Sequence, residues 1–138
     1  MEETLKIIEK CRVFAQQADA LEAKAFEDIP YRDAHFVDDF NKLFEQYAYG
    51  KQNRTISGLN FRQPARYDHI NTCDKEVIEQ VSKTRYYVTF EGKPQWKTIR
   101  FVLDKRQGEW KLIRSENYLG IANHGKDRGK EVWTKNKL

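Results

Sequence analysis

Tyr31, Asp38 and Asp39 are the residues of this chain whose types best suit acid–base chemistry. In a dry pocket a tyrosine can donate a hydrogen bond while an aspartate takes a proton from a small hydrophobic substrate. Both aspartates flank the apolar face of a helical pattern, however, where solvent exposure is the simpler account. Asp68-His69 sets a carboxylate beside an imidazole, yet neighbours on an extended chain point to opposite faces, so Asp68 is poorly placed to orient His69. His35 reads as a surface or capping residue, and His124 falls in a polar C-terminal stretch. Tyr31, His69, Tyr86 and Trp96 could line a ligand pocket, although packing explains the aromatic residues equally well. Cys11 and Cys73 stand 62 positions apart with no His or Cys at metal-ligand spacing, which predicts free, buried or half-buried thiols. The chain contains no phosphate-cradling glycine loop, G-x-S-x-G or His-x-x-x-His. No catalytic residue, metal or cofactor is expected.

Residues suited to binding a macromolecule are easier to find. Arg85, Tyr87, Arg100 and Arg114 occupy alternate, outward positions of strand patterns, and aromatic and arginine side chains are the usual anchors of protein interfaces. Charge is also unevenly distributed. Residues 1–49 hold 6 Lys+Arg against 11 Asp+Glu, whereas residues 50–138 hold 19 against 10. A basic partner would therefore be expected to face the acidic helical side, including Asp38 and Asp39, rather than the arginines. Nucleic acid is a poor fit, because Arg62, Arg66, Arg85, Arg100, Arg106 and Arg114 are dispersed among acids and no single-strand recognition motif forms.

These residues are positioned by a simple order of elements. At 138 residues, with 39% hydrophobic and 13% aromatic content, the chain suits one domain. Leu5, Ile8, Cys11, Phe14, Ala18, Leu21 and Ala25 predict a helix over Thr4–Phe26, which Pro30 stops. Asp33 is a plausible cap for a second helix with Phe36, Val37, Phe40, Leu43, Phe44 and Tyr47 on its core face and Gly50 as its stop. Residues 51–75 are irregular, with a short strand conceivable at 54–57. Strands follow at Glu76–Ser82, Arg85–Glu91, Trp96–Asp104 and from Trp110 onward, with Tyr86, Val88, Phe90, Ile99, Phe101 and Leu103 facing inward. From about residue 120 the chain reads as a polar, mobile tail anchored only at Val132 and Trp133. The fold class is α+β, a cone-shaped, curved antiparallel sheet packed on N-terminal helices. The start, MEETLKIIEKC, lacks the basic head and apolar run of a secretory signal, and no segment offers the roughly 20 apolar residues of a membrane span. A cytoplasmic location without membrane contact is expected.

Pro64-Ala65-Arg66-Tyr67-Asp68, Glu76-Val77-Ile78-Glu79 and Ser82-Lys83-Thr84-Arg85-Tyr86-Tyr87-Val88 appear in that order. Phe101-Val102-Leu103, Glu109-Trp110-Lys111-Leu112-Ile113 and a late Trp133 follow. In this order the chain resembles the immunity proteins of the nuclear transport factor 2-like (cystatin-like) superfamily that accompany bacterial polymorphic toxins. The match covers about half of the chain in residues, and the helices by pattern. The resemblance implies a non-enzymatic cytoplasmic protein that binds and neutralises one cognate toxin domain, and it carries over no catalytic residue. The alternative is a small-molecule-binding domain or pocket enzyme of the same fold, using Tyr31, Asp38 or His69. A third reading is a homodimerising accessory domain.

Overall fold

The computed structural model describes residues 2–50, 67–70, 73 and 75–138, and of His69 the backbone alone. The strand expected at 54–57, and Arg62, Pro64, Ala65 and Arg66, lie outside the described residues. Contacts divide the chain into two compact units, Met1–Asn71 and Thr72–Leu138.

The first unit contains helices α1 (Glu2–Glu27), α2 (Ile29–Ala34) and α3 (Phe36–Tyr47) and a 3-10 turn at Asp68–Ile70. On α1 the buried stripe is Ile7, Cys11, Phe14, Ala15, Ala18, Glu22 and Ala25. The stripe shares its middle with the expected one but starts differently. Leu5 is two residues, about 200°, from Ile7 on a 3.6-residue helix, and it is 65% exposed. Pro30 does not simply end the helical region. It sits in the first turn of α2, where a missing N–H costs nothing, and the Asp28 carboxylate caps that helix by accepting the Tyr31 N–H at 3.0 Å. Asp33, expected to cap the second long helix, lies inside α2 and accepts from Arg32 Nε at 3.1 Å. His35 occupies the cap position of α3 instead.

Aromatic residues hold this unit together. Phe14, fully buried, has the rings of Phe44, Tyr47 and Tyr67 at 6.3, 6.3 and 6.0 Å. Phe36, Phe40 and Phe44 continue the series along α3 at 4.9 and 5.3 Å. The Asp19 carboxylate of α1 accepts the Tyr67 N–H at 2.9 Å, which ties the turn to the helix.

The second unit is an open antiparallel sheet in the order β1 (Lys75–Ser82), β2 (Arg85–Glu91), β3 (Ile99–Arg106), β4 (Glu109–Ile121), β5 (Glu131–Asn136). With the three helices this is an α+β arrangement. The alternation read from the sequence is realised: Tyr86, Val88, Phe90, Ile99, Phe101, Leu103, Trp110 and Leu112 are all buried. Tyr86 meets Trp110 edge-on at 4.8 Å, and Phe90 meets Phe101 at 6.1 Å. Gln107 and Gly108 both take positive φ, 53° and 81°, between the paired Arg106 and Glu109. That is the two-residue turn whose twist suits a hairpin.

Two boundaries differ from expectation. Trp96 is not in β3 but in a 3-10 turn at Gln95–Lys97, because Lys97 N–H and Thr98 N–H bond to the carbonyls of Pro94 and Gln95 rather than to a strand. The Thr98 hydroxyl closes this loop by accepting the Gly92 N–H at 3.1 Å. A Cβ on Gly92 would lie 2.8 Å from Lys97 Cβ and 3.1 Å from its carbonyl carbon. Gly92→Ala should therefore lower stability by about 1–3 kcal/mol, read as a lower urea midpoint; an unchanged midpoint would show that the loop simply yields. Secondly, the C-terminal stretch forms β5, where a polar tail was expected. β4 is 13 residues long and provides the template. Ala122 N–H to Lys130 O (2.9 Å) and Gly129 N–H to Ala122 O (3.0 Å) close the turn that returns β5 to it.

A bulge decides what β4 presents. Val102 pairs with Arg114 and Leu103 with Leu112, so Ile113 is the extra residue of a register shift in β4. One extra residue re-phases everything after it. Without the bulge, Arg114, Glu116 and Tyr118 would share the face of Trp110 and Leu112. With it they lie beside Val102 and Arg100, while Ser115 and Asn117 align with Phe101 and Ile99.

Candidate functional site

The face of the sheet opposite Tyr86, Val88 and Phe90 carries a cluster of charged and aromatic side chains. Its centre is Arg100 of β3. The Glu116 carboxylate, directly opposite on β4, accepts from Arg100 Nε at 2.8 Å and Nη2 at 2.6 Å through Oε1. Its other oxygen accepts from Arg114 Nε at 2.7 Å. The Arg100 guanidinium also meets two rings, with its Cζ 4.2 Å from the Tyr87 centroid and 3.9 Å from that of Trp133. Trp133 is in turn held edge-on by Tyr118 at 5.2 Å. A delocalised, weakly hydrated guanidinium is the cation best suited to such stacking.

The electrostatics follow from this crowding. Glu116 is 1% exposed. Burial on its own pushes its carboxyl up, but hydrogen bonds and charge from Arg114 and Arg100 outweigh burial and hold it below the usual carboxylate range. Two guanidinium groups around one carboxylate leave the trio with a net positive charge. A carboxylate held in this way is a poor general base, because its lone pairs are already engaged. Beside the trio, Asp104 receives Arg85 through two bonds, Nε to Oδ1 at 2.7 Å and Nη2 to Oδ2 at 3.1 Å. That bidentate bond, ahead of the cost of burial, raises the Arg85 pKa above its usual value. Val102, fully buried, lies in register between Tyr87 and Arg114 and gives the face an apolar centre.

Next to the cluster lies an open basin of about 670 Å³, lined by residues of all five strands that include Thr89, Arg100, Tyr118 and Trp133. Its rim carries both signs of charge, Lys75 and Lys93 against Glu91 and Glu131.

Arg85, Tyr87, Arg100 and Arg114, singled out as partner-binding residues, thus lie on one face of one sheet, and three of them belong to the trio and its stacking partners. Asp38 and Asp39 are in the first turn of α3. Asp38 is exposed, and Asp39 accepts the Tyr31 hydroxyl at 2.7 Å. Burial, with the bond to Asp39, raises the Tyr31 pKa well above its usual value. Tyr31 is buried in the helical unit, Tyr86 is on the apolar side of the sheet, Trp96 is 68% exposed in its turn, and the side chain of His69 lies outside the described residues. Cys11 is fully buried and Cys73 half-buried, both as free thiols, and burial pushes the Cys11 thiol far above the range of a nucleophile. Among the described residues no group of three His, Cys, Asp or Glu converges as a metal site, and no helix is long and apolar enough to cross a membrane.

Glu116 and Asp104 escape a reading that follows positive and aromatic residues alone, and Tyr118 is not singled out among the aromatic residues either. The available signal was Arg114-x-Glu116-x-Tyr118, a period of two on a strand, which sets all three on one side. No family model matches this chain, and neither any curated protein nor any solved structure does.

Proposed function

We propose that the chain is a non-enzymatic immunity protein with a nuclear transport factor 2-like fold, which binds and neutralises a cognate bacterial toxin domain in the cytoplasm. One observation carries the interface: Arg85, Tyr87, Arg100 and Arg114 share a sheet face on which Arg100 is already oriented by Glu116, Tyr87 and Trp133. Interface energy concentrates in a few aromatic and arginine anchors, and anchors held before binding lose little entropy on binding. The net positive trio favours a partner surface rich in carboxylates or carbonyls. The order of residues from Tyr67 to Trp133 supports the same class of protein.

The test is co-expression with the toxic domain encoded beside this gene. Rescue of growth and a complex that survives gel filtration are expected. Arg100→Ala and Trp133→Ala should each weaken the complex by about 30-fold or more, measured by calorimetry. Absence of both rescue and complex overturns the proposal. The basin of about 670 Å³ supports a second reading, a small-molecule-binding domain. Under that reading Arg100→Ala abolishes a ligand-induced thermal shift and leaves any protein complex intact.

A further inference from the structure

β1 is an edge strand: among the described residues only β2 pairs with it. All of its residues except Ile78 are exposed, and Val77 is 37% exposed. An exposed edge presents unpaired backbone donors and acceptors to any strand that approaches, and natural sheets usually blunt such edges with charge. The charges here favour one register over its neighbours.

We infer that two copies of this chain associate through β1, antiparallel, about a two-fold axis that passes midway between the two Val77 residues and stands perpendicular to the sheet. Lys75, Val77 and Glu79 alternate onto one face of β1, and all three line the basin. In the register centred on Val77, Lys75 of each copy stands opposite Glu79 of the other, on either side of a Val77–Val77 pair. Opposed charges on directly paired residues stabilise a sheet, and like charges there destabilise it. Moving the centre to Glu79 sets Glu79 against Glu79, and moving it to Lys75 sets Lys75 against Lys75. A centre at Ile78 keeps Ile78 against itself but opposes Val77 to Glu79 and wastes both charge pairs.

The length of the strand agrees with the charges. The β1–β2 register slips between Gln80 and Ser82, so Val81 is a bulge. A bulge bends a strand and ends regular pairing. The flat part of β1 is thus 75–80, and a pairing centred on Val77 uses that part and stops short of Val81. Because the axis is perpendicular to the sheet, both polar faces emerge on the same side. The two basins then meet across Val77, and the Arg100 clusters of the two copies line one continuous trough. This association is independent of the partner proposed above.

The test is a charge swap followed by mass measurement with light scattering. The wild-type chain is expected at twice the monomer mass, less so as salt is raised. Lys75→Glu and Glu79→Lys each place like charges opposite each other at both pairs, and each should raise the dissociation constant by on the order of tenfold to a hundredfold. Mixing those two variants should restore the dimer as a heterodimer, since every Glu then faces a Lys. The double variant K75E/E79K should dimerise by itself. An unchanged far-UV spectrum confirms that these exposed positions leave the fold intact. A wild-type chain that is monomeric at all concentrations, reversals that leave the dimer untouched, or a mixture that restores nothing would each overturn the inference.

Discussion

Glu116→Leu should cost about 3 kcal/mol of stability, at the low end of what breaking a buried ion pair removes. The side chain is 1% exposed and receives bonds from two arginines, so its loss leaves two neighbouring guanidinium groups without a counter-charge. The low end is the appropriate choice because Arg100 and Arg114 keep 17% and 22% of their side-chain surface in water. Urea unfolding should show a lower midpoint with an unchanged slope. Replacing the whole trio, Arg100→Met, Glu116→Leu and Arg114→Met, should be near neutral for stability, since the desolvation cost disappears together with the attraction. The triple variant then separates folding from recognition: it should fold normally and fail to bind any partner that needs the cluster. Acid provides an independent check. The Glu116 carboxyl has a lower pKa folded than unfolded. Its contribution is therefore present above the ordinary carboxylate pKa and is lost as pH falls through the depressed folded value. Glu116→Gln should flatten that part of the acid limb; a limb of unchanged slope would show that the carboxylate does not couple to folding.

The second large effect belongs to the helical unit. Phe14→Ala should cost about 3–5 kcal/mol, the usual range for deleting a buried ring that its neighbours cannot fully replace. The ring is fully buried and meets Phe44, Tyr47 and Tyr67, which come from α3 and from the segment before the 3-10 turn. Large aromatic neighbours relax poorly into a void, so a cost within that range is expected. Phe14→Leu, which refills most of the volume, should recover the greater part of the loss. Calorimetry distinguishes the two. A cost below about 1 kcal/mol for Phe14→Ala would mean that the site collapses freely and that Phe14 is not the hub of its unit.

Much of this arrangement is legible in the residues, and what is not has physical causes. The inward rows Tyr86, Val88, Phe90 and Ile99, Phe101, Leu103 follow from a period of two, because each strand has one apolar side. Phe36, Phe40, Leu43 and Phe44 follow equally from a period near 3.6. Leu5 misleads because its apolarity carries no information about direction, and a pattern tolerant of three or four absorbs it. Pro30 is ambiguous by nature, since the same ring that ends one helix suits the first turn of the next. β5 is hidden because its polar alternation reports nothing until β4 is known to extend beside it. The site is half visible for a related reason: Arg85, Tyr87, Arg100 and Arg114 announce themselves by type, whereas Glu116 matters only once the strand carrying it has been turned over.

That turn has a consequence for how kin of this chain should be aligned. Ile113 is the one residue by which β4 shifts register against β3, between the Leu103–Leu112 and Val102–Arg114 pairs. A descendant that lost it would carry a straighter strand yet present the same carboxylate and the same arginine to the same side. Loss of one residue between Arg114 and Tyr118 would instead exchange lining for surface. A single gap between Trp110 and Arg114 is therefore compatible with inheritance of the recognition face, and a single gap beyond Arg114 is a mark of its abandonment.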